Sequence, residues 1–434
     1  MSRARTLALW VTVLAVALSR TVGAKESLGA HDVATNTARV SDALLSADTL
    51  WVSSEGGVER YDLPSRQRTG HWTRLEGLEE TRVLSLAEEG GLVATTRGAR
   101  CRLVEEAFVC TKTGSPPAAT VAGRPSALGR LHHGARVVRS WRWHEQELVA
   151  TATQGVWLGE QRLTPARQLC GNHVTGLARF RGTLYVGTFE DGVCRLTDSG
   201  FEPLADVPRQ VNALLATTEA LWVGTSQGLW RLTETSLEPV SALMDYAVVS
   251  LATEKTYVVV ATSAALWWLD ATNGAVVSER WRPGGSRALQ RVKVAGGQLW
   301  LATEDRGAVV RRGREMHVLD RTRGAESSWL LDVDPDGAGG AWLATLRDGL
   351  EHLGPTGSLG VALRGTWGLT LLRGERHLYY GSQEGLFIHP LQGTLEQWDA
   401  SDALVDGRVH ALLEEPGTLW VGTELGLQRL PRPR

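Results

Sequence analysis

The sequence predicts an all-β fold, a β-propeller of about ten four-stranded blades, and three observations support this prediction. A short apolar motif returns along the whole chain, each copy reads as four short strands, and neighbouring copies lie about 40 residues apart. One longer gap, between the second and third copies, holds the Pro- and Gly-rich segment 114–126. Repeats of this size stack as blades, because a single small sheet cannot bury its own two faces.

The second strand of each copy predicts how the blades pack. In the fifth copy, Leu221 and Val223 point to one face while Trp222 and Gly224 point to the other, so both faces are apolar, as a sheet between two neighbours requires. The residue before the motif Thr or Ser is small in the clearest copies, so we expect a large side chain of the adjacent blade to pack there. The ten copies occupy residues 50–63, 92–103, 148–158, 184–196, 221–232, 257–269, 299–310, 341–353, 378–389 and 419–430.

The two ends of the chain predict how the propeller closes. The sequence stops after the third strand of the last copy, and residues 25–36 precede the first strand of the first copy. We therefore expect the N-terminal stretch to supply the fourth strand of the last blade, which closes the ring and removes both sheet edges. A single ring of ten blades is the preferred arrangement, and two five-bladed rings are the alternative.

The N-terminus has the features of a secretory signal peptide over residues 1–24. Arg3 and Arg5 precede an apolar run from residue 6 to 18, and small residues stand before Lys25. This run is short for a membrane span, and no other segment approaches the required ~20 apolar residues. We expect residues 25–434 to form one exported propeller domain, periplasmic or extracellular, monomeric and without a membrane span.

The overall charge excludes one class of partner. The chain has 46 basic and 48 acidic side chains and a net charge of -2, so no global field attracts nucleic acid. The even number of cysteines in an exported chain permits disulfides. A turn at Glu105 and Glu106 would set Cys101 opposite Cys110, which leaves Cys170 for Cys194. Four buried free thiols are the alternative.

Three segments resemble catalytic or metal-binding motifs, and each fails on its context. HEQEL at 144–148 has Leu where a zinc helix needs its second His. DVDPDG at 332–337 lacks the later acidic residue of a calcium loop, and GPTGSLG at 354–360 lies between strands and does not open a helix. We therefore predict no catalytic residues, no metal and no cofactor, and we interpret the acidic turns between second and third strands as solvated.

The residue that begins each first strand should surround the central channel. Arginine occupies this position in four copies that a ten-bladed ring would make consecutive, and His173 occupies it in the next. An arc of guanidinium groups would suit a carboxylate, a phosphate or an acidic peptide, and solvated rim arginines are the alternative. The predicted ligand-binding residues are Arg39, Arg82, Arg136, His173 and Arg408; the remaining copies place Gln210, Ala247, Ala288, Ser328 and Thr366 there.

The form LWVGT, followed by GL and an Arg-Leu pair, resembles the two-component regulator propeller repeat. The resemblance covers nearly the whole chain after the signal peptide and implies a propeller fold. In that family the propeller is the extracytoplasmic sensing part of larger receptors that continue into a membrane span and a histidine kinase. Neither follows here, so the resemblance implies a stand-alone propeller without its own signalling output.

The function expected from these features is non-catalytic binding of a small ligand, a glycan or a protein partner at the channel face. This makes the protein a candidate sensor or accessory component. A propeller-fold lyase or hydrolase is one alternative, which would need a metal or a paired acid and base near the channel. A scaffold that binds proteins by its outer surface is the other.

Overall fold

The computed structural model describes residues 33–113, 130–281, 288–313, 315–391, 398–399 and 403–433, and the predicted signal peptide lies outside them. Strands and turns make up nearly all of this part of the chain, together with short 3-10 turns at Arg74–Glu76, Ser241–Leu243 and Arg321–Arg323. No helix in these ranges has the length and apolar character to span a membrane. The predicted all-β fold is confirmed.

Ten antiparallel sheets follow one another along the chain, and we number them as blades 1 to 10. Blade 1 comprises β2 (Val40–Ser46), β3 (Thr49–Ser54), β4 (Gly57–Asp62) and β5 (Gln67–Trp72). Blade 2 comprises β6 (Ser85–Glu88), β7 (Leu92–Thr95), β8 (Ala99–Val104) and β9 (Ala107–Lys112). Blade 3 comprises β10 (Leu131–His132), β11 (Ala135–Trp143), β12 (Gln146–Thr151), β13 (Gly155–Leu158) and β14 (Gln161–Arg162).

Blades 4 to 6 comprise β15 (Val174–Phe180), β16 (Thr183–Thr188), β17 (Gly192–Thr197) and β18 (Gly200–Pro203); β19 (Val211–Ala216), β20 (Leu221–Thr225), β21 (Gly228–Leu232) and β22 (Leu237–Pro239); and β23 (Val248–Glu254), β24 (Tyr257–Thr262), β25 (Leu266–Asp270) and β26 (Val276–Trp281).

Blades 7 to 10 comprise β27 (Leu289–Ala295), β28 (Gln298–Thr303), β29 (Ala308–Arg312) and β30 (Glu315–Leu319); β31 (Leu330–Pro335), β32 (Ala341–Thr345), β33 (Leu350–Gly354) and β34 (Gly357–Leu363); β35 (Gly368–Arg373), β36 (His377–Ser382), β37 (Leu386–Pro390) and β38 (Trp398–Asp399); and β39 (Val409–Glu415), β40 (Thr418–Thr423), β41 (Gly426–Pro431) and β1 (Val33–Ala34).

The motif Thr or Ser closes the hairpin between the second and third strands. In blade 5, Thr225 Oγ1 donates to the carbonyl of Gly228 at 3.1 Å and accepts from the backbone N–H of Gln227 at 3.1 Å. These bonds satisfy backbone groups that the tight turn would otherwise leave without partners. The same hydroxyl-to-carbonyl bond recurs at Thr188, Thr303, Thr345, Ser382 and Thr423.

The small residue before that hydroxyl receives a side chain of the next blade, as the sequence predicts. A Cβ placed on Gly224 would lie 2.6 Å from Cγ1 of Val248, which begins blade 6. Leu221 packs toward blade 4 while Trp222 packs toward blade 6, so both faces of blade 5 are buried. Each ring blade therefore fixes the position of the blade that follows it.

The N-terminal strand closes the last blade, again as expected. β1 pairs antiparallel with β41, with Val33 opposite Gln428 and Ala34 opposite Leu427. A Cβ on Gly426 would lie 2.9 Å from the carbonyl oxygen of Ala34, so the close approach of the two strands requires glycine there. Blade 10 is therefore built from both ends of the described chain.

The ring, however, contains seven blades, and the preferred arrangement of ten blades in one ring is wrong. The first strands of blades 4 to 10 pack against one another in order, and β39 of blade 10 returns to β15 of blade 4. Gly422 of blade 10 accordingly faces Val174 of blade 4, at 2.5 Å from a Cβ built on the glycine. The alternative of two five-bladed rings is also excluded by this cycle.

Blades 1 to 3 form a separate group, which we call the arc. Blade 1 lies in the middle: Leu50 and Tyr61 pack with Leu148 of blade 3, whereas Val58 and Trp72 pack with blade 2. The chain order 1, 2, 3 thus becomes the spatial order 3, 1, 2. The arc is inserted between the strand that closes blade 10 and the first strand of blade 4.

Exposed polar side chains cover the two ends of the arc, unlike the apolar faces inside the ring. On the outer face of blade 2, Arg100 and Arg102 are exposed, and both lie close to Glu89. On the outer face of blade 3, Trp157 lies beneath the ring of His133, with ring centroids 4.2 Å apart. Terminal repeats of stacked arrays use polar outer faces in this way, so these faces let the arc end without a further blade.

The four cysteines form two disulfides, Cys101–Cys110 and Cys170–Cys194. The first joins β8 to β9 of blade 2, where Cys101 lies opposite Cys110 in the strand register. The second joins β17 of blade 4 to the segment that enters this blade from the arc. It therefore anchors one of the two connections between arc and ring.

Candidate binding site at the channel of the seven-bladed ring

A channel of about 380 Å³ runs between the first strands of the ring. All seven ring blades contribute residues to its wall, and the arc contributes none of those that line it. Its polar lining comes mainly from blades 6 to 10. The polar and charged members are Ser250, Thr253, Arg291, Lys293, Asp332, Asp334, Thr370 and His410, with Thr175 from blade 4.

One side of the channel is braced by charged residues. Lys293 Nζ donates to Asp334 Oδ2 at 2.6 Å and to the backbone carbonyl of Leu371 at 2.7 Å, and it lies 3.5 Å from Asp332 Oδ1. These contacts connect blades 7, 8 and 9. Because the two carboxylates face two cations, Arg291 and Lys293, this wall carries no net charge at neutral pH.

Asp332 is a structural brace, and the arc contains its counterpart. Asp332 Oδ2 accepts from the backbone N–H of Leu371 in the next blade at 2.8 Å. In the arc, Asp42 Oδ2 accepts from Leu86 N–H at 3.1 Å, and Arg139 Nε of the preceding blade donates to Asp42 Oδ1 at 2.9 Å. A carboxylate held by such bonds positions neighbouring blades.

Two side chains of the channel have nitrogen atoms that lack hydrogen bonds among the described residues. Arg291 Nε and His410 Nε2 are buried and make no hydrogen bond within the described part of the chain, and Arg291 Nε is 3.6 Å from Asp332. Burial, with the charges of Arg408 and Arg291 and the adjacent His173, lowers the pKa of His410 to about 3. His410 is therefore neutral at physiological pH, with one ring nitrogen as donor and the other as acceptor. Buried polar atoms without partners are expected to bind water or a ligand.

The mouth of the channel is aromatic on blades 8 and 9. Leu330 of blade 8 pairs with Thr345 in the same way as Val409 of blade 10 pairs with Thr423. Trp329, directly before Leu330, therefore holds the position in blade 8 that Arg408 holds in blade 10. The same register gives Trp367 in blade 9, because Gly368 pairs with Ser382. Both indoles are exposed, at 43% and 37%. The sequence alignment that placed Ser328 and Thr366 at these positions is therefore one residue too early.

Three of the predicted ligand-binding arginines come together where the arc meets the ring, and all three have carboxylate neighbours. Arg39 contacts Asp191 at 2.8 Å and Glu190 at 3.3 Å. Arg408 contacts Glu424 at 2.9 Å and Asp406 at 3.2 Å, and lies 3.8 Å from Glu80 of the arc. Arg82 lies 3.6 Å from Glu55, which is also 3.8 Å from Arg39. We call this group the junction cluster.

Burial shapes the protonation of the junction cluster. It raises the pKa of Glu80 and of Asp191, although Arg97 and Arg39, respectively, oppose the shift. Burial also lowers the pKa of His173, whose ring lies 4.6 Å from that of His410. In this cluster six carboxylates surround the three arginines, so the positive field expected from the sequence is neutralised by the protein itself.

Arg136, the fourth predicted arginine, lies in the arc and is exposed on blade 3. Its carbonyl accepts from Ala152 N–H at 2.8 Å, as the carbonyl of Arg408 accepts from Glu424 N–H, so Arg136 holds the register position in blade 3 that Arg408 holds in blade 10. Because blade 3 follows neither blade 10 nor blade 2 in space, the four arginines do not lie on four consecutive blades. The predicted unbroken row of guanidinium groups around the channel is therefore wrong.

A wider cavity of about 580 Å³ lies outside the channel, between blades 6 and 7. Three of its polar side chains bond to one another: Glu254 accepts from Arg311 at 2.8 Å and from Trp268 Nε1 at 2.7 Å. The described residues contain no group of three or more His, Cys, Asp or Glu side chains that could hold a metal ion. The channel therefore offers the more reactive set of hydrogen-bonding atoms.

Three solved structures place the fold among known propellers. The extracellular domains of two putative hybrid two-component systems from B. thetaiotaomicron, BT3049 and BT4673, each match 90% of this chain at 13% identity, with TM-scores of 0.53 and 0.50, and the match covers 61% and 69% of those chains. A streptogramin B lyase structure matches 60% of this chain and 94% of its own at 10% identity, with a TM-score of 0.50. At such identities the likeness concerns the fold alone. No protein-family model and no curated protein matches the chain.

Proposed function

We propose that the protein is an exported, non-catalytic binding propeller whose ligand site is the channel of the seven-bladed ring, open to solvent at the mouth formed by blades 8 and 9. A role as sensor or accessory component follows from this site. Export is supported by the two disulfides, by the likeness to extracellular domains and by the signal-peptide features of residues 1–24.

The observation that carries this proposal is a pair of buried channel nitrogens, Arg291 Nε and His410 Nε2, that lack hydrogen bonds in the described part of the chain. The first of them is in ion-pair contact with Asp332 at 3.6 Å. A ligand group that hydrogen-bonds to both would remove an energetic cost that the free protein carries. The charged residues beneath them are held in place by bonds between blades, so the site is formed before binding. Preorganised sites of this kind bind without a large ordering cost.

The test is a thermal-shift screen of the purified protein against sugars, amines, acidic metabolites, peptides and divalent metals. A ligand at about 100 times its Kd adds about 2.7 kcal/mol to stability, which the screen detects. We expect the stabilisation to disappear in Arg291→Ala and to weaken in His410→Gln. The control is Arg136→Ala, an exposed arginine of blade 3 outside the channel, which should leave the stabilisation unchanged.

Other outcomes assign the site elsewhere. A ligand that still stabilises Arg291→Ala but no longer stabilises the triple variant of Arg39, Arg82 and Arg408 to Ala would place binding at the junction cluster, as the sequence suggested. Stabilisation by a metal alone, with turnover of a sugar or ester, would favour the enzyme alternative. Stabilisation by none of these compounds would contradict a small-ligand channel.

A further inference from the structure

The channel mouth carries two exposed tryptophans on neighbouring blades. Trp329 directly precedes β31 and Trp367 directly precedes β35, and these two strands pack against each other. Exposed apolar side chains on adjacent blades form a patch, which is the kind of surface that contacts ligands or partners. The remaining uncovered rim positions on blades 5, 6 and 7 hold Gln210, Ala247 and Ala288, so the aromatic groups are confined to one sector of the mouth.

One of the two rings already contacts a cation. The guanidinium carbon of Arg347, which lies in the turn between β32 and β33, is 5.6 Å from the centre of the Trp367 ring. This distance is within the range of a cation–π contact, in which the electron-rich face of the indole attracts positive charge. Arg347 is exposed, so its guanidinium can leave the ring at little cost.

The charges around the tryptophans also favour a positively charged ligand. Glu384 Oε2 accepts from the backbone N–H of Trp367 at 3.2 Å, and the exposed Asp348 follows Arg347 directly. The turns between second and third strands of the ring carry seven carboxylates, of which Glu190, Asp191 and Glu424 are paired with Arg39 or Arg408. The other four, Glu304, Asp305, Asp348 and Glu384, outnumber the two guanidinium groups in these turns, Arg306 and Arg347.

We propose that Trp329 and Trp367 form a receptor for a guanidinium or alkylammonium group, and that Arg347 occupies part of it until the ligand displaces this side chain. The proposal rests on the channel-binding function and specifies the chemistry of its ligand. A small organic cation and a basic side chain of a peptide share this chemistry. The proposed ligand is a cation, whereas the rim arginines suggested an anion.

The test compares cations with neutral molecules of the same shape. Choline is paired with 3,3-dimethyl-1-butanol, and N-acetyl-arginine amide with N-acetyl-citrulline amide, and binding is followed by calorimetry and by tryptophan fluorescence. We expect each cation to bind at least tenfold more tightly than its neutral counterpart, and binding to weaken between 20 and 500 mM salt. A tetrapeptide with one central arginine, compared with choline, distinguishes a peptide source from a small-molecule source.

Three variants make the proposal falsifiable. Trp329→Leu and Trp367→Leu should each weaken choline binding at least fivefold, while Trp157→Leu in blade 3 is the matched control and should not change it. Arg347→Ala should tighten binding, because it removes the internal competitor. A merely structural role of Arg347 would predict weaker binding in this variant.

Two results would overturn the proposal. Equal affinities for the cations and their neutral counterparts, including no binding of either, would contradict a cation receptor, and so would a loss of binding in Arg347→Ala. A neutral ligand from the thermal-shift screen that depends on Arg291 but not on Trp329 would overturn the cation receptor while leaving the channel-binding function in place.

Discussion

Asn36 and Asn172 exchange hydrogen bonds across the two segments that connect the arc to the ring. The backbone N–H of Asn36 donates to Oδ1 of Asn172 at 2.6 Å, and Nδ2 of Asn172 donates to the carbonyl of Asn36 at 2.9 Å. Gln168 Oε1 also accepts from the backbone N–H of Thr37 at 3.0 Å. The chain thus leaves and re-enters the ring at one buried, hydrogen-bonded point.

Asn172→Ala should destabilise the protein. Asn172 is 2% exposed, so its loss leaves the N–H and carbonyl of Asn36 without these partners. We expect the free energy of unfolding in urea to fall by about 1–3 kcal/mol, the usual cost of buried groups that lose their bonds. Asn273→Ala, in an exposed turn of blade 6, is the control and should change it by less than about 0.5 kcal/mol. Equal effects would contradict the role assigned to this crossing.

Arg408→Met should destabilise the contact between arc and ring. It keeps the apolar stem but leaves Asp406, Glu424 and Glu80 without their shared cation. We expect a loss of about 1–3 kcal/mol at pH 7 and low salt, because partly buried like charges then repel one another. Arg136→Met should have almost no effect in the same urea titration. A loss that is equally small in both variants would show that the junction cluster contributes no stability.

His410 should make stability depend on pH below neutrality. Its pKa is lowered to about 3 in the folded state, mainly by burial, so below its ordinary value of about 6.5 the unfolded chain binds the proton and the folded one does not. Stability should therefore fall as pH decreases, by up to about 1.4 kcal/mol per pH unit from this group. His410→Gln should show a shallower decline between pH 6 and pH 4. Parallel declines would show that His410 does not titrate as described.

The blade architecture could be predicted from the sequence because its determinants are local. A small residue at the place of Gly224 and a Thr or Ser at the place of Thr225 repeat in every clear copy, and several copies repeat Trp222. The missing fourth strand of blade 10 pointed to β1. The number of blades in the ring could not be predicted in this way. Val40 and Val174 begin blades 1 and 4 with the same residue type, so either could pack against Gly422 of blade 10. The exposed arginines on the outer face of blade 2 do mark a terminal blade, and they are visible in the sequence as Arg100 and Arg102.

The candidate site was predicted only in part. The residues that line the channel lie further along the first strands than the position chosen from the sequence, and alignment one residue early missed Trp329 and Trp367 at that position. The partners of Arg39 and Arg408 come from other blades, so no local pattern reveals that these charges are neutralised. Arg291 is the third residue of β27 and His410 is the second residue of β39. At these positions the sequence pattern indicates packing alone, so it did not point to the channel.

The most direct test of the account asks which blade follows blade 10. Gly422→Ala should destabilise the protein, because the added methyl group would lie 2.5 Å from Cγ1 of Val174. Double-mutant cycles in urea then pair Gly422→Ala with Val174→Ala or with Val40→Ala. A seven-bladed ring predicts coupling of about 1 kcal/mol with Val174→Ala and almost none with Val40→Ala, whereas coupling with Val40→Ala alone would contradict it and restore the ring of ten.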